Sequence, residues 1–326
     1  MRNLAIEQAG KAFFANTKTL QKLLTLTDVA DVTPVYKDKR IADLVKKRVP
    51  FYEELQKEPI AIPDYHYLVN ATPGTVLGKW TNEADSGSET AQEGTYQDQV
   101  FSTKLVVYKG SVGILGQKAT KDIVDIMAKE QEIAMTALVR QIENTIINGD
   151  PSDNSGDGGP GDADSFSGFD DLTFGASQSS NKAGADITIE DMDAAVDYLV
   201  DEEGMDERQM IHVTNSSTKT QLSSEYYDLY RLPLEKVDIN AGFRVESYRN
   251  SPILVSSYMP TTTDQKVVYT VDKETWKVPV FYDISQIELG RTGLSDDFLM
   301  FAQLALAYPK NDAGTIFRAF KIYGID

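Results

Sequence analysis

The spacing of apolar residues changes several times along the chain, and each change marks an element. Between residues 118 and 149, Ile123, Met127, Ala134, Leu138, Ile142 and Ile146 recur in steps of four or seven. Lys129, Glu130, Glu132, Arg140, Gln141 and Asn144 fill the other faces. The spacing predicts one long helix with a single apolar stripe, a rod to be laid against a sheet. At 1.5 Å per residue, about thirty residues would span about 45 Å. Gly149 is placed to stop this helix in the left-handed conformation.

Upstream, "VLGKWTNEADSGSETAQEGTYQDQVFSTKLVVYKGSVGIL" (76–115) sets two strand-like stretches around a polar tip. In the second stretch Phe101, Leu105 and Val107 share one face by a period of two, with Thr103 between them. The pattern predicts a long hairpin. A lone two-stranded hairpin is marginal in water, so it needs a surface to lie on, which the rest of this chain need not supply. Residues 1–60 read as an arm of short helices interrupted at Pro34 and Pro50, with Phe13, Phe14, Leu20, Leu23 and Leu24 at loosely helical spacing.

Downstream of the long helix the pattern dissolves into "SDNSGDGGPGDADSFSGFDD" (152–171), which has little to bury. A compact α/β unit follows. Thr188 with Asp191 forms a capping-box pattern ahead of Met192, Ala195, Val196 and Leu199, and Gly204 closes that helix. "QMIHVT" reads as a strand and "SSTKTQLSSEYY" as a helix capped near Asn215 or Ser216. "GFRVESY", "PILVSSY", "KVVYTV" and "QIELG" are further strands, punctuated by the turns "RNSP" and "VDKET". Two apolar runs near 298–308 and 315–323, joined by "PKNDAG", predict a closing hairpin whose first run could instead be a short helix. No repeat of solenoid or propeller period is present.

Composition narrows the chemistry. The chain has 326 residues, 41% of them hydrophobic and 25% charged, enough for a substantial core in one large domain or two ordinary ones. It contains no apolar run long enough for a membrane helix, and its start lacks a signal-peptide pattern. With no cysteine, disulfides, thiolate nucleophiles and cysteine metal sites are excluded. His66 and His212 are the two histidines; their apolar neighbours favour packing in or beside strands over catalysis. The formal charge is -18, yet residues 1–60 carry eleven Lys/Arg against eight Asp/Glu. An exterior this acidic repels nucleic acid at long range. The basic cluster "KDKRIADLVKKR" (37–48) reads as the solvated face of a short helix.

The glycine- and aspartate-rich loop mimics a calcium-binding loop: Asp153, Ser155 and Asp157 take its first three ligand positions, Gly158 the sharp turn, and Asp164 the last. Against calcium, the last position lacks the longer Glu, Pro160 stands where an apolar residue belongs, and no helix follows. The loop is read as a flexible surface loop, with no cofactor required. Phosphate-loop, dinucleotide, nucleophile-elbow and zinc-helix patterns are all missing. A triad from Ser216, His212 and one of many aspartates is a nearly free choice, and the acidic pairs Asp170/Asp171 and Asp296/Asp297 establish no geometry. The reading is of a non-enzyme.

The order of parts resembles the major capsid protein family of tailed double-stranded DNA viruses, whose fold is shared with encapsulin shells. "KWTNEADSGSET" and "FSTKLVVYKGSVGILGQKATKDIVDI" look like the family's extended loop running into its spine helix. "ALVRQIENTIINGD" followed by "GFDDL" looks like the end of that helix and its return. "ITIEDMDAAVDYLV", "IHVTNSSTKTQL" and "FRVESYRNSPILVSSYMP" look like the axial domain, and "DDFLMFAQLALAYPKNDAGTIFRAFKI" like the last peripheral elements. The likeness runs from about residue 70 to the end.

The resemblance implies an L-shaped α+β subunit. Its parts are an N-terminal arm (1–60), an extended β-hairpin loop with its base (61–117) and the spine helix of a peripheral domain (118–149). An acidic surface loop (150–186), an α/β axial domain (187–290) and closing peripheral elements (291–326) complete it. It further implies hexamers and pentamers in an icosahedral shell around double-stranded DNA that is held without sequence-specific contact. Trp80, Glu83, Phe101 and Leu105 are the expected contacts between subunits. Assembly is expected in the host cytoplasm, with separate scaffold, portal and decoration proteins and no membrane. Many family members begin with a cleavable scaffolding segment; this chain opens on the arm at Met1, so any scaffold is expected to be a separate protein. Some members also cross-link a Lys to an Asn; Lys79, Lys104 and Asn311 have suitable types but no aligning motif, and no such bond is expected. The basic arm is expected to face inward. The alternatives are an encapsulin-type compartment and, from another class, a calcium-stabilised surface-binding or glycan-active protein.

Overall fold

The computed structural model describes residues 50–70, 96–120, 125–153, 159–239, 244–291, 293–311 and 314–326. The predicted arm before Pro50, together with Lys79, Trp80, Glu83, Ile123, Ser155, Asp157 and Gly158, lies outside these residues. The chain runs α1 (Pro50–Glu54), β1 (Gln56–Pro59), β2 (Asp64–Asn70), β3 (Tyr96–Ser102), β4 (Lys104–Gly113), α2 (Ile114–Thr120) and α3 (Ile126–Asn148). It continues through β5 (Ser179–Ala185), α4 (Ile189–Asp201), β6 (Met210–Thr214), α5 (Ser216–Tyr230), β7 (Glu235–Asp238), β8 (Arg244–Tyr248) and β9 (Ser251–Val255). The last strands are β10 (Lys266–Asp272), β11 (Lys277–Glu288), β12 (Ser295–Leu304) and β13 (Ala319–Ile325).

Among the described residues the strands form a seven-stranded sheet (β5-β13-β10-β6-β9-β8-β7), a four-stranded sheet (β1-β11-β12-β4) and a two-stranded ribbon (β2-β3). The central strands β6 and β10 of the large sheet are buried throughout because both of its faces are covered. On one face Met210, Ile253, Val268, Phe320 and Ile322 pack with Met192, Val196 and Leu199 of α4 and Leu222 of α5. On the other, Ile211, Val213, Leu254, Tyr269 and Val271 join a core that includes Leu138, Ile142 and Ile146 of α3 and Phe298, Ala302 and Leu304 of β12. Successive residues of β6 thus feed two different cores, as the alternation of a strand requires.

Local chemistry sets the element ends in the α/β part. The Thr188 hydroxyl accepts from the Asp191 amide at 3.3 Å, while the Asp191 carboxylate accepts from the Thr188 amide at 2.8 Å. Gly204, with φ +65°, ends α4, and Met205 N donates to Leu199 O at 3.1 Å. Asn215 Oδ1 caps α5 by accepting from Thr218 N at 2.8 Å. Between β8 and β9, Arg249 and Asn250 have φ of 47° and 68°, the mirror-image turn that matches the twist of paired strands.

Several expectations are corrected. The rod expected at 118–149 is broken: α2 lies before it, and α3 starts only at Ile126, where Asp125 Oδ1 accepts from Ala128 N at 3.2 Å. Its stripe of Ala134, Leu138, Ile142 and Ile146 is buried. Gly149 is extended (φ −65°, ψ 120°), not left-handed. Its role is close approach, because a Cβ there would meet Phe166 O at 2.3 Å and Thr145 O at 2.4 Å. Gly168 N donates to Gly149 O at 2.7 Å, Phe169 N to Ile146 O at 2.9 Å and Asp170 N to Ile147 O at 3.0 Å. The returning chain therefore supplies donors that helix-terminal carbonyls otherwise lack.

The 150–186 segment is not all surface loop. It contains the 3-10 turn Ala176–Gln178 and β5, and Phe169 is fully buried. The closing hairpin does not form, since β12 pairs with β11 and β4, whereas β13 pairs with β10 and β5. Its first run is a strand, and among the described residues a single bridge, Lys310 to Ile316, survives near the turn.

Candidate assembly surface

Of the expected 76–115 hairpin, 76–95 lies outside the described residues, and 96–113 divides between two sheets. β3 pairs antiparallel with β2, Tyr65 facing Phe101 and Leu68 facing Asp98. β4 instead runs along β12 in the four-stranded sheet. The chain changes sheets at Thr103, whose amide and hydroxyl both donate to Pro63 O at 2.9 Å and whose hydroxyl accepts from Gln303 Nε2 at 2.9 Å. The side-chain phase reverses there: Phe101 and Thr103 are buried, but Leu105 and Val107 point out. Phe101, Leu105 and Val107 do not share a buried face.

The ribbon has two unlike sides. Tyr65, Tyr67, Gln99 and Phe101 face the chain's own body. Tyr67 Oη donates to Thr275 O at 3.2 Å, Tyr65 Oη to Glu58 at 3.0 Å, and Gln99 Nε2 to Lys310 O. Phe101 meets Tyr308 edge to face at 5.0 Å. Phe101, expected as a contact between subunits, is thus committed to the subunit's own core. The outer side carries Leu68 at 72% exposure, Tyr96 at 73% and Val100 at 50%, beside an exposed His66–Asp98 pair at 2.8 Å. Leu105, 56% exposed, continues apolar surface beyond the pivot.

The other candidate residues are not brought together for chemistry. His212 is fully buried in β6 with Nδ1 2.9 Å from Thr270 Oγ1, and burial pushes its pKa down to about 3. Asp170 lies 3.6 Å from Lys321, Asp296 2.7 Å from Arg291, and Asp297 accepts from the Ser111 hydroxyl at 2.6 Å. Asn311 Oδ1 caps its own turn by accepting from Thr315 N at 2.8 Å, and Lys104 Nζ reaches Ala163 O at 3.4 Å. In the acidic loop, Asp164 N donates to Asp162 Oδ1 at 3.1 Å and Asp153 N to Asp150 O at 3.2 Å. The hydroxyl and amide of Ser152 hold the Asp150 carboxyl below its usual range. Among the described residues no group of three or more His, Asp or Glu could hold a metal ion.

Sequence reasoning missed two structural centres. Phe169 stacks on Trp276 at 4.6 Å and lies 5.5 Å from Phe51 and 5.0 Å from Tyr269. It fastens the loop after α3 to α1 and to the start of β11. Glu143, which lies outside the apolar stripe of the helical repeat, is fully buried. A "GF" pair in a glycine-rich run is the only sequence signal for the first; no local signal marks the second.

The assembly of a long helix on a four-stranded sheet, a covered seven-stranded sheet and an outlying ribbon is the fold of tailed-phage capsid subunits, the mixed α+β HK97-type capsid fold. Encapsulin SrpI of Synechococcus elongatus PCC 7942, solved in its holo complex, aligns at TM-score 0.65 and 12% identity over 92% of this chain and 96% of its own. The capsid of a native GTA particle aligns at 0.63 and 13%, over 93% and 99% of the two chains. The capsid of cyanophage A-1(L) aligns at 0.62 and 13%, also over 93% and 99%. No curated protein matches the chain. Residues 81–320 match the family model for the SU10 major capsid protein, and the chain belongs to that family. It is a structural protein of the virion, a tailed-phage major capsid protein that forms an icosahedral shell, and not an enzyme.

Proposed function

We propose that copies of this chain form the hexamers and pentamers of that shell, and that the shell encloses double-stranded DNA without sequence-specific contact. In this reading the four-stranded sheet and α3 are the peripheral domain, and the seven-stranded sheet with α4 and α5 is the axial domain. The ribbon is the root of the extended loop. The observation that carries the reading is the ribbon's outer side: Leu68, Tyr96 and Val100 are exposed while the inner side is already docked. A second copy covering that side would remove it from water, and interfaces of this kind bury about 2,000 Å² or more. Leu105 is a candidate contact on the same ground, as are Trp80 and Glu83 because they fall in the sequence after β2 and before β3.

A chain with net charge -18 does not attract DNA over its surface. The modestly basic arm is therefore assigned to the inner side, with scaffold, portal and decoration proteins as separate partners. Electron microscopy of the expressed protein tests the proposal. Closed icosahedral particles with five- and six-fold capsomers are expected, and DNA is expected inside particles taken from an infected host. A stable monomer at high concentration would overturn it. Small DNA-free shells carrying protein would favour the compartment reading instead.

A further inference from the structure

We propose that Glu143 is a proton-operated latch: its carboxyl holds α1 against α3, and ionisation loosens that hold. The side chain is fully buried on α3. Its Oε1 accepts from the Ser256 hydroxyl at 2.5 Å, just beyond β9, and its Oε2 accepts from the Tyr52 amide at 3.3 Å. The Phe51 amide also donates to this carboxyl. One carboxyl thus ties together α3, the end of β9 and the first turn of α1. The α1 helix has only five residues, so its early amides depend on an acceptor from outside. Phe51 carries the contact onward, since its ring lies 5.5 Å from Phe169 in the aromatic cluster around Trp276.

Ser256, Tyr52 and Phe51 donate to Glu143 through a hydroxyl and two amides, all uncharged. The fully buried Asp272 differs, because Arg318 lies 3.0 Å from its carboxylate. The titratable groups nearest Glu143 are Tyr52, Glu53 and Glu54 on α1, Arg140 one turn earlier on α3, and Tyr258 past β9. Burial pushes the Glu143 carboxyl up to about 7; hydrogen bonds from Ser256, Tyr52 and Phe51 oppose that rise, and Glu53 adds to it. A neutral carboxyl satisfies the site, its carbonyl oxygen accepting from the amides and its proton directed at Ser256 Oγ. An ionised one places a full charge in a fully buried site, which burial penalises.

The folded state therefore holds a proton that the opened state releases near the ordinary carboxylate pKa. Contacts that depend on the latch are strongest at acid pH and weaken as pH rises through about 7. The measurement is hydrogen exchange of the peptide covering 50–58, corrected for intrinsic rates, with the β10 peptide as internal reference. Opening of 50–58 relative to β10 should increase roughly tenfold between about pH 6 and about pH 8.5. Glu143→Gln, which keeps an acceptor for the amides and offers a donor to Ser256, should abolish that dependence. A pH-independent wild type or an unchanged profile in the Gln variant would each overturn the latch. So would a loss of protection shared equally by β10, which would mean global unfolding.

Discussion

Gly168 illustrates how much a single missing side chain can decide. A Cβ at this position would stand 2.3 Å from Thr145 O, 2.5 Å from Gly149 N and 2.7 Å from Ile146 O, all of them backbone atoms that cannot swing aside. Gly168→Ala is expected to lose several of the bonds that close α3 and to destabilise the fold by about 3 kcal/mol or more, an exceptional cost for one methyl. Gly113→Ala, where nothing lies within 4 Å of the new Cβ, is the control, and denaturant melts of both variants make the comparison. His212 supports a second expectation. Its pKa is held down from 6.5 to about 3 by burial, so unfolding takes up a proton below about 6.5. The stability this neutral imidazole carries is fully present above that pH and falls by roughly 1.4 kcal/mol per unit as the pH drops toward 3. Thermal melts across that range should show His212→Gln losing less stability on acidification than wild type; equal slopes would refute the assignment. The packing of His212 in a strand was readable from its apolar neighbours, whereas the close approach at Gly168 was not. Gly149 fitted a left-handed stop because local spacing cannot see a chain that returns from about twenty residues away.

Elements were legible where their signals are local. The Thr188–Asp191 box, the Asn215 cap, Gly204 and the apolar stripe of α3 all depend on residues within one or two turns, and each stands where the spacing put it. Pairing was not legible. Period-two alternation identifies a strand but not its partner, so β3 and β4 read as one arm of a hairpin although they belong to different sheets. The phase break at Thr103 was the missed clue, because a polar residue inside an apolar alternation marked the crossing. The same limit separated β12 from β13 across a genuine turn signal. The β8–β9 turn gives an expectation at this scale. Arg249 is held by Asp193, Asp197 and Glu207 and should stay. Asn250, at φ 68°, spends its backbone in a region glycine favours. Asn250→Gly is expected to leave the hairpin intact and to change stability by less than about 1 kcal/mol, toward stabilisation, since Asn followed by Gly types dominate such turns. Chemical denaturation with an unchanged slope would check it; a loss above about 1 kcal/mol would show that the Asn side chain has a role of its own.

At the scale of the molecule, the division of labour lies between a closed core and an open ribbon side. Leu138, Ile142 and Ile146 seal α3 between the two sheets, and the inner side of the ribbon is tied to that same body through Phe101 and Tyr67. Leu68 and Val100 stand on the outer side at 72% and 50% exposure and belong to neither buried core among the described residues. Changing both to Glu should therefore leave the isolated subunit folded, with stability altered by no more than about 0.5 kcal/mol per site. The assembled state should behave oppositely. Every shell contact repeats once per subunit, so a modest penalty at one interface is multiplied around each capsomer, and a carboxylate buried against a neighbour is strongly unfavourable. Sedimentation and electron microscopy of the double variant should show folded, unassembled subunits. Shells forming with wild-type yield would move the interface off the ribbon and onto other exposed apolar sites such as Leu115 and Leu294, each 70% exposed near the far end of the four-stranded sheet.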